Sequence, residues 1–319
     1  LVVVDRLFKS YERFFDGRKK GERVGLPGFR KVRKYKSFTL KQAGWKVLDG
    51  NTIRINGQNY RYHKSRKIEG TVKTVTIKRD AVGDLWVCFA CEQEQHQVIP
   101  RLGNAVGFDF GLKNFLTPSQ GNPIESPRFF EQNRKELRRL NRTLSRKIEG
   151  SNNWRKAKRD LARLHRRIAN QLSAWFWQTA WRIVGEYAFV GLETLNIKAM
   201  QRLWGRKVGD YGFSEFVRIL EYVASKVGTE IVHIDKWYPS SQLCSACGYR
   251  YEGTKDLSVR TWTCPKCGDV HDRDRNAAAN ILAEALRVKQ TGGTSSVTAR
   301  HCKTGVSRQV SLEPGILCL

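Results

Sequence analysis

Apolar and polar residues change their spacing several times along the chain, and each change predicts a different element. Val3, Leu7, Tyr11 and Phe14/Phe15 recur at helical spacing, so residues 1–15 read as the end of a helix. A Gly/Pro-punctuated basic stretch follows, Gly25-Leu26-Pro27-Gly28-Phe29-Arg30 and then Lys31, Arg33, Lys34 and Lys36. From 37 to 100 the pattern turns to β. Asp49-Gly50 and Asn56-Gly57 are hairpin dipeptides between short strands, residues 71–79 alternate with period two, and 85–92 is their expected partner. A small antiparallel barrel or sheet is the expected architecture there.

After about residue 104 strands and helices alternate. A strand over 105–110 precedes a Gly-rich turn and a second short strand near 114–117. Residues 128–186 read as largely helical: a basic helix to Gly150, a break at Ser151-Asn152-Asn153, and another helix from 154. Buried strands are expected at 187–193 and 229–235 with a helix at 213–226 between them. A cysteine-bearing insert fills 244–267, a helix runs from about 274 to 288, and the Gly/Thr/Ser-rich tail from 290 to 319 is expected to be disordered. Such alternation predicts an α/β sheet, and no internal repeat is present.

Composition sharpens this picture. The 319 residues suffice for one large domain or two to three small ones, and 40% apolar with 11% aromatic residues can build real cores. Lys and Arg number 58 against 30 Asp and Glu, a net charge of +28. Residues 1–50 hold 14 basic and 5 acidic side chains and residues 131–170 hold 14 and 4, so two blocks carry +19 of the total. Charge so concentrated calls for a polyanionic partner, nucleic acid before anionic membrane. No apolar run reaches 18 residues; the best, 172–192, is broken by Gln178, Arg182 and Glu186. Leu1-Val2-Val3-Val4 runs straight into Asp5 and Arg6, unlike a signal peptide. Eight cysteines are too sparse for a disulfide framework and four have metal spacing, which predicts a reducing, cytoplasmic setting.

Those four are Cys244, Cys247, Cys264 and Cys267, two CxxC pairs at the separation of a four-cysteine zinc site. Gly248 and Gly268 follow each pair and permit the tight turn that aims two thiolates at one ion. Four thiolates leave no open coordination position, so Zn2+ there is structural. His271 is a potential substitute ligand but is expected to face solvent or nucleic acid. Cys88 and Cys91 are read as ordinary thiols, because strand positions three apart face opposite ways.

Three carboxylates stand at telling places. Asp109 lies near the end of a strand whose other face is Val106, Phe108 and Phe110, with Gly107 and Gly111 on its own face leaving room for a bulky ligand. Glu193 ends the apolar run Ala188-Phe189-Val190-Gly191-Leu192, and Asp274 begins a helix. An acidic cluster within so basic a protein invites metal ions. Carboxylates are the hard ligands Mg2+ prefers, and two such ions clamp the attacking and leaving oxygens of a phosphodiester.

Gly107-Phe108-Asp109-Phe110-Gly111-Leu112-Lys113 and Gly191-Leu192-Glu193-Thr194-Leu195-Asn196 resemble the first two RuvC motifs of the TnpB (OrfB) family. Trp237-Tyr238-Pro239-Ser240-Ser241 leading into Cys244-Ser245-Ala246-Cys247-Gly248 resembles the same family, and Asp272-Arg273-Asp274-Arg275-Asn276-Ala277-Ala278 is similar to its third RuvC motif. These are insertion-sequence proteins, RNA-guided DNA endonucleases related to type V CRISPR effectors, and the resemblance runs from residue 1 to about 288. It implies an α/β RNase H-like (RuvC) fold over 104–241 with a helical insert at 128–186, a zinc ribbon at 242–270, and the final motif and helix at 271–289. The region 1–36 would be the basic remnant of a helical recognition region and 37–103 a wedge-like β-barrel. The implied triad is Asp109, Glu193 and Asp274 holding two Mg2+, replaceable by Mn2+, with Asp274 chosen over Asp272 because the family's acid stands two residues before the Asn. Implied partners are DNA and a guide RNA derived from the transposon end, with no membrane. The implied place is the prokaryotic cytoplasm, on the nucleoid when DNA is bound. Complete family members carry a further N-terminal strand and several recognition helices, so this chain is expected to begin inside the last of them. Thr194 stands where the family usually has an acid or amide. Two other readings follow from the same features: a truncated or domesticated nucleic-acid-binding protein without cleavage, and a transposase, the family's older name.

Overall fold

A computed structural model describes residues 2–28, 35–41, 43–92, 99, 102–111, 114–194, 212–256 and 258–291. Most of the expected disordered tail (292–319), with Cys302 and Cys318, lies outside the described residues, as do residues 29–34, Leu112, Lys113 and 195–211. The chain divides into two compact units. One comprises the described residues of 1–95 and 140–164, the other those of 96–139 and 165–291.

In the first unit, α1 (Val2–Lys19) begins with Asp5 in its first turn and ends on Arg18 and Lys19, the charge order that suits a helix dipole. Six strands follow as two antiparallel three-stranded sheets. β1 (Ser37–Leu40), β5 (Thr71–Arg79) and β6 (Leu85–Glu92) form one in the order β1-β5-β6; β2 (Trp45–Leu48), β3 (Thr52–Ile55) and β4 (Gln58–Arg61) form the other. Asn56 and Gly57 turn β3 into β4 with φ of 47° and 83°, the doubly positive pair a tight hairpin demands. Both sheets feed one core of Ile53, Tyr62, Val75, Ile77 and Val87. Along β5, Val75 and Ile77 point inward while Lys78 and Arg79 are exposed. Cys88 is exposed and Cys91 half-buried.

The second unit is built on a mixed five-stranded sheet in the order β11-β10-β7-β8-β9. β7 (Ala105–Phe110), β10 (Phe189–Glu193) and β11 (Glu230–Ile234) run parallel, while β8 (Asn114–Pro118) and β9 (Ile124–Glu125) are antiparallel additions. After a single helical turn at Phe129–Gln132 come α2 (Arg134–Ser145) and the long α3 (Asn152–Glu186), which begins in the first unit and ends in the second. α4 (Phe213–Val227) crosses between β10 and β11. Period-two alternation then assigns the faces. Val106, Phe108, Phe110, Val190, Leu192 and Ile231 pack against Phe176, Ala180 and Ile183 of α3 and Phe216, Ile219, Leu220 and Val223 of α4. Phe189, Val232 and Ile234 face the other way, onto Ile281 and Ala285 of α5 (Arg273–Gln290). Between β11 and α5 lies a small ribbon with one hairpin, β12 (Thr261–Thr263) and β13 (Val270–Asp272).

Gly107 and Gly191 belong to the α5 face, and helix backbone occupies their space. A Cβ on Gly107 would lie 2.3 Å from the carbonyl oxygen of Ala278 and 2.6 Å from the amide of Leu282; one on Gly191 would lie 2.8 Å from the Ala285 methyl. Gly111 is likewise filled, its notional Cβ 2.9 Å from the Asn114 carbonyl oxygen. The room expected for a bulky ligand beside these glycines is therefore absent. They bring the chain's own helix and turn into near contact with the strand. No helix among the described residues is long and apolar enough to cross a membrane.

Candidate active site and metal centre

The sheet faces that pack on α5 end in acids. Asp109 is the penultimate residue of β7 on the same face as Gly107, and Glu193 closes β10 on the same face as Gly191. β7 and β10 are neighbours in parallel register, Leu192 opposite Phe108, so both carboxylates emerge at one end of the sheet. α5 brings the third. Asp272 caps the helix, its Oδ1 accepting from the Arg275 amide at 2.9 Å, while Asp274 lies in the first turn with its side chain 20% exposed.

Electrostatics register this convergence. Asp109 is driven well above the usual carboxylate range by burial first, then by the charges of Glu193 and Asp274, with Arg273 and Arg260 pulling the other way. Burial lifts Glu193 from 4.5 to about 7. Arg260, just before β12, reaches Asp274 with Nη1 3.4 Å from Oδ1. Arg275 Nη2 donates to the Gly121 carbonyl at 2.9 Å, fixing the start of α5 to the β8–β9 connection. Thr194 is not idle: its hydroxyl donates to the Ile234 carbonyl at 2.7 Å and ties the end of β10 to β11. Just beyond β11, Trp237 is 77% exposed, with Lys236 Nζ 4.9 Å above its ring.

Such a cluster has a plain chemical meaning. Three carboxyls near enough for the charges of Glu193 and Asp274 to raise the pKa of Asp109 carry a free-energy cost when ionised, and a divalent cation with oxygen preference relieves it. The carboxylates are spread more widely than the thiolates. Among the described residues, Cys244, Cys247, Cys264 and Cys267 are the group of three or more potential ligands whose donor atoms all lie within 4.8 Å of one another.

The thiolate geometry fits a tetrahedral ion. Cys244 and Cys267 are 3.6 Å apart at sulfur, as are Cys247 and Cys264. A Zn–S bond of about 2.3 Å gives a tetrahedron edge of about 3.8 Å. The two knuckles repeat one another. Gly248 and Gly268 adopt φ of 72° and 76°, and their amides donate to the carbonyls of Cys244 and Cys264 at 2.8 and 2.9 Å. Desolvation opposes ionisation of Cys264, but the backbone amides of Cys267 and Lys266, aided by neighbouring thiols, draw it down to about 7.

His271 corrects the expectation that it faces solvent or nucleic acid. It is 8% exposed, its ring lies tilted against Trp262 with centroids 4.9 Å apart, and Nε2 lies 3.0 Å from the Cys244 sulfur. It packs behind Cys244, within hydrogen-bonding reach of its sulfur. Arg260, Asn276 and Asn280 are further residues whose site contacts the sequence did not reveal. The asparagines stand four apart on a helix, a spacing that puts two amides on one face and that local pattern could have flagged.

Comparisons with known proteins agree over most of the chain. Residues 88–203 match the OrfB_IS605 family model, described as "Probable transposase", and residues 213–281 match the Cas12f1-like TNB domain model. A Streptomyces pristinaespiralis protein named as a candidate RNA-guided DNA endonuclease is 37% identical over 243 residues, 76% of this chain and 60% of its own length. The chain thus spans about three-fifths of that relative. InsQ of Escherichia coli (strain K12), named in the same way, is 29% identical over 304 residues, 90% of this chain and 74% of its own. A solved complex of Cas12f1 with sgRNA and target DNA overlays with a TM-score of 0.42 at 15% identity, covering 84% of this chain and 74% of that one.

Proposed function

Because the chain belongs to the TnpB (OrfB) family, we propose that it is a transposon-associated, RNA-guided DNA endonuclease. Its reaction is hydrolysis of a phosphodiester at the carboxylate cluster, on an RNase H-like (RuvC) sheet. One observation carries the reading: in a chain of charge +28, Asp109, Glu193 and Asp274 converge from two adjacent strands and a helix upon one spot. Asp109, Glu193 and Asp274 would hold two Mg2+, whose chemistry is to polarise the phosphoryl oxygens and stabilise charge on attacking and leaving oxygens.

The protein's own part is positional. β7 and β10 fix Asp109 and Glu193 through sheet register, and the α5 cap fixes Asp274. Burial keeps the acids receptive to cations, since an unneutralised charge there is costly. Arg260 and Arg273 moderate the negative field beside a phosphate-bearing substrate. Hydrolysis in line would leave a 3′-hydroxyl and a 5′-phosphate. The ribbon of Cys244, Cys247, Cys264 and Cys267 holds structural Zn2+ in this reading. Residues 1–50 and the helices over 131–170 supply phosphate contacts to guide RNA and DNA, with sequence read by base pairing. Trp237 offers a face on which a base of the cleaved strand stacks.

The test is direct. Purified protein with its guide RNA should cut DNA in Mg2+ or Mn2+ and not without them, and Asp109→Ala should abolish cutting while guide-dependent DNA retention persists. Cleavage surviving in Asp109→Ala removes the assignment. Retention with no products in the parent protein supports instead a nucleic-acid binder of the same fold.

A further inference from the structure

We infer that Asn276 and Asn280 latch the thiolate centre to the helix that carries Asp274, so that ion binding at the two centres is coupled. The inference rests on Asp109, Glu193 and Asp274 being the cation-holding acids. Both asparagines are nearly sealed from solvent, 3% and 6% exposed, in the first half of α5. Asparagine is an unfavourable choice for a helix interior, and a buried amide is costly unless its hydrogen bonds are met. Here they are met outside the helix. Asn276 Oδ1 accepts from the Ser245 amide at 2.9 Å, and its Nδ2 donates to the Leu243 carbonyl at 2.7 Å. Asn280 Nδ2 donates to the carbonyls of Ser240 at 2.8 Å and Leu243 at 2.7 Å.

All four bonds end on residues 240–245, the segment that delivers Cys244. Ser245 itself lies inside the first knuckle, between Cys244 and Cys247. The other knuckle reaches α5 by a separate route: the Arg273 amide donates to the Arg260 carbonyl at 2.8 Å, and Arg260 contacts Asp274. The first turn of α5 is thus gripped from both halves of the ribbon, and an ion on the thiolates is what holds those halves together. Further along, α5 lies in near contact with Gly107 and Gly191, so its body has nowhere to slide. Loss of the ion therefore loosens the turn bearing Asp274 and leaves the rest of the helix in place. By linkage the effect is reciprocal: a cation on the acids steadies the same turn and so tightens the hold on zinc.

The experiment uses the full chain loaded with zinc. Mn2+ binding is followed by electron paramagnetic resonance, and zinc affinity is measured by equilibrium competition with a chromogenic chelator, with and without saturating Mn2+. The parent protein should hold zinc about fivefold or more tightly with Mn2+ present. Asn276→Ala removes the bonds to Ser245 and Leu243 and Asn280→Ala removes the other pair; retained zinc and an unchanged circular dichroism spectrum guard against a variant that fails to fold. Each should still bind one zinc, about tenfold more weakly, and no longer respond to Mn2+. A parent that binds Mn2+ at Asp109 yet shows unchanged zinc affinity overturns the coupling, as does a full Mn2+ response in both variants. Mn2+ binding that is absent in the parent, or undiminished in Asp109→Ala, overturns instead the reading of the acids, and the coupling falls with it.

Discussion

Replacing Glu193 by Gln should make the magnesium-free protein more stable at alkaline pH. Burial raises the folded-state pKa of Glu193 from 4.5 to about 7. An acid so raised contributes its full share of stability below the unfolded value and loses it as pH climbs through the folded one. Glutamine keeps the shape and has no proton to lose. The gap between variant and parent should be near zero at pH 4.5, open across pH 5 to 7.5, and level off above. Each pKa unit corresponds to 1.36 kcal/mol, so the plateau is about 3 kcal/mol at most. Glu193 keeps part of its surface in water, which lowers that ceiling. The measurement is the urea midpoint of zinc-loaded protein in magnesium-free buffer, at pH 5 and pH 8.5. Mg2+ should then raise the parent's midpoint at pH 8.5 and leave the Gln variant nearly unmoved, because a ligand stabilises the state it binds. A variant no more stable than the parent at pH 8.5, or equally more stable at pH 5, would refute the reasoning.

Three other outcomes follow from the geometry. Gly107→Ala should cost about 3 kcal/mol in denaturant unfolding, since the new methyl meets helix backbone at 2.3 Å and not a movable side-chain tip; a change under about 0.5 kcal/mol would mean that α5 does not lie against β7. Arg260→Ala should lower stability by less than about 1 kcal/mol, because the pair with Asp274 is partly solvated. It should also tighten Mn2+ binding by removing a competing cation, and weaker binding would show that Arg260 serves instead to hold Asp274 in place. Trp237→Ala should raise KM for DNA by about fivefold or more with kcat little changed, as loss of one base stack does, and Trp237→Phe should recover most of it; equal KM for all three forms would discard the stacking role.

Local pattern carried much of the framework. The alternation over 71–79 and the Asn56-Gly57 dipeptide correspond to β5 and the β3–β4 turn, and the strand expected at 105–110 is β7 to the residue. Long-range arrangement was not legible in the same way. Whether six short strands close into a barrel depends on pairings between distant segments, and the described residues form two three-stranded sheets around one core. Gly107 signalled a close approach to the strand without saying what approaches. Strand-end acids could be picked out singly, yet their meeting depends on β7 and β10 being neighbours, a fact of sheet order that no local window contains. His271 sits in a three-residue strand, too short for alternation to reveal its inward face.

The three acids also appear in an order that matters during synthesis. Asp109 and Glu193 belong to strands that can pair as soon as β10 emerges, whereas Asp274 arrives only after the cysteine ribbon. α5 both covers the remaining apolar face of the sheet and completes the acidic cluster. A nascent chain emerged only through β11 therefore exposes Phe189, Val232 and Ile234 together with two unpartnered carboxylates. Core closure and assembly of the acids are one event, and it comes last. A chain interrupted before α5 would leave this sheet face open and the acidic cluster unfinished.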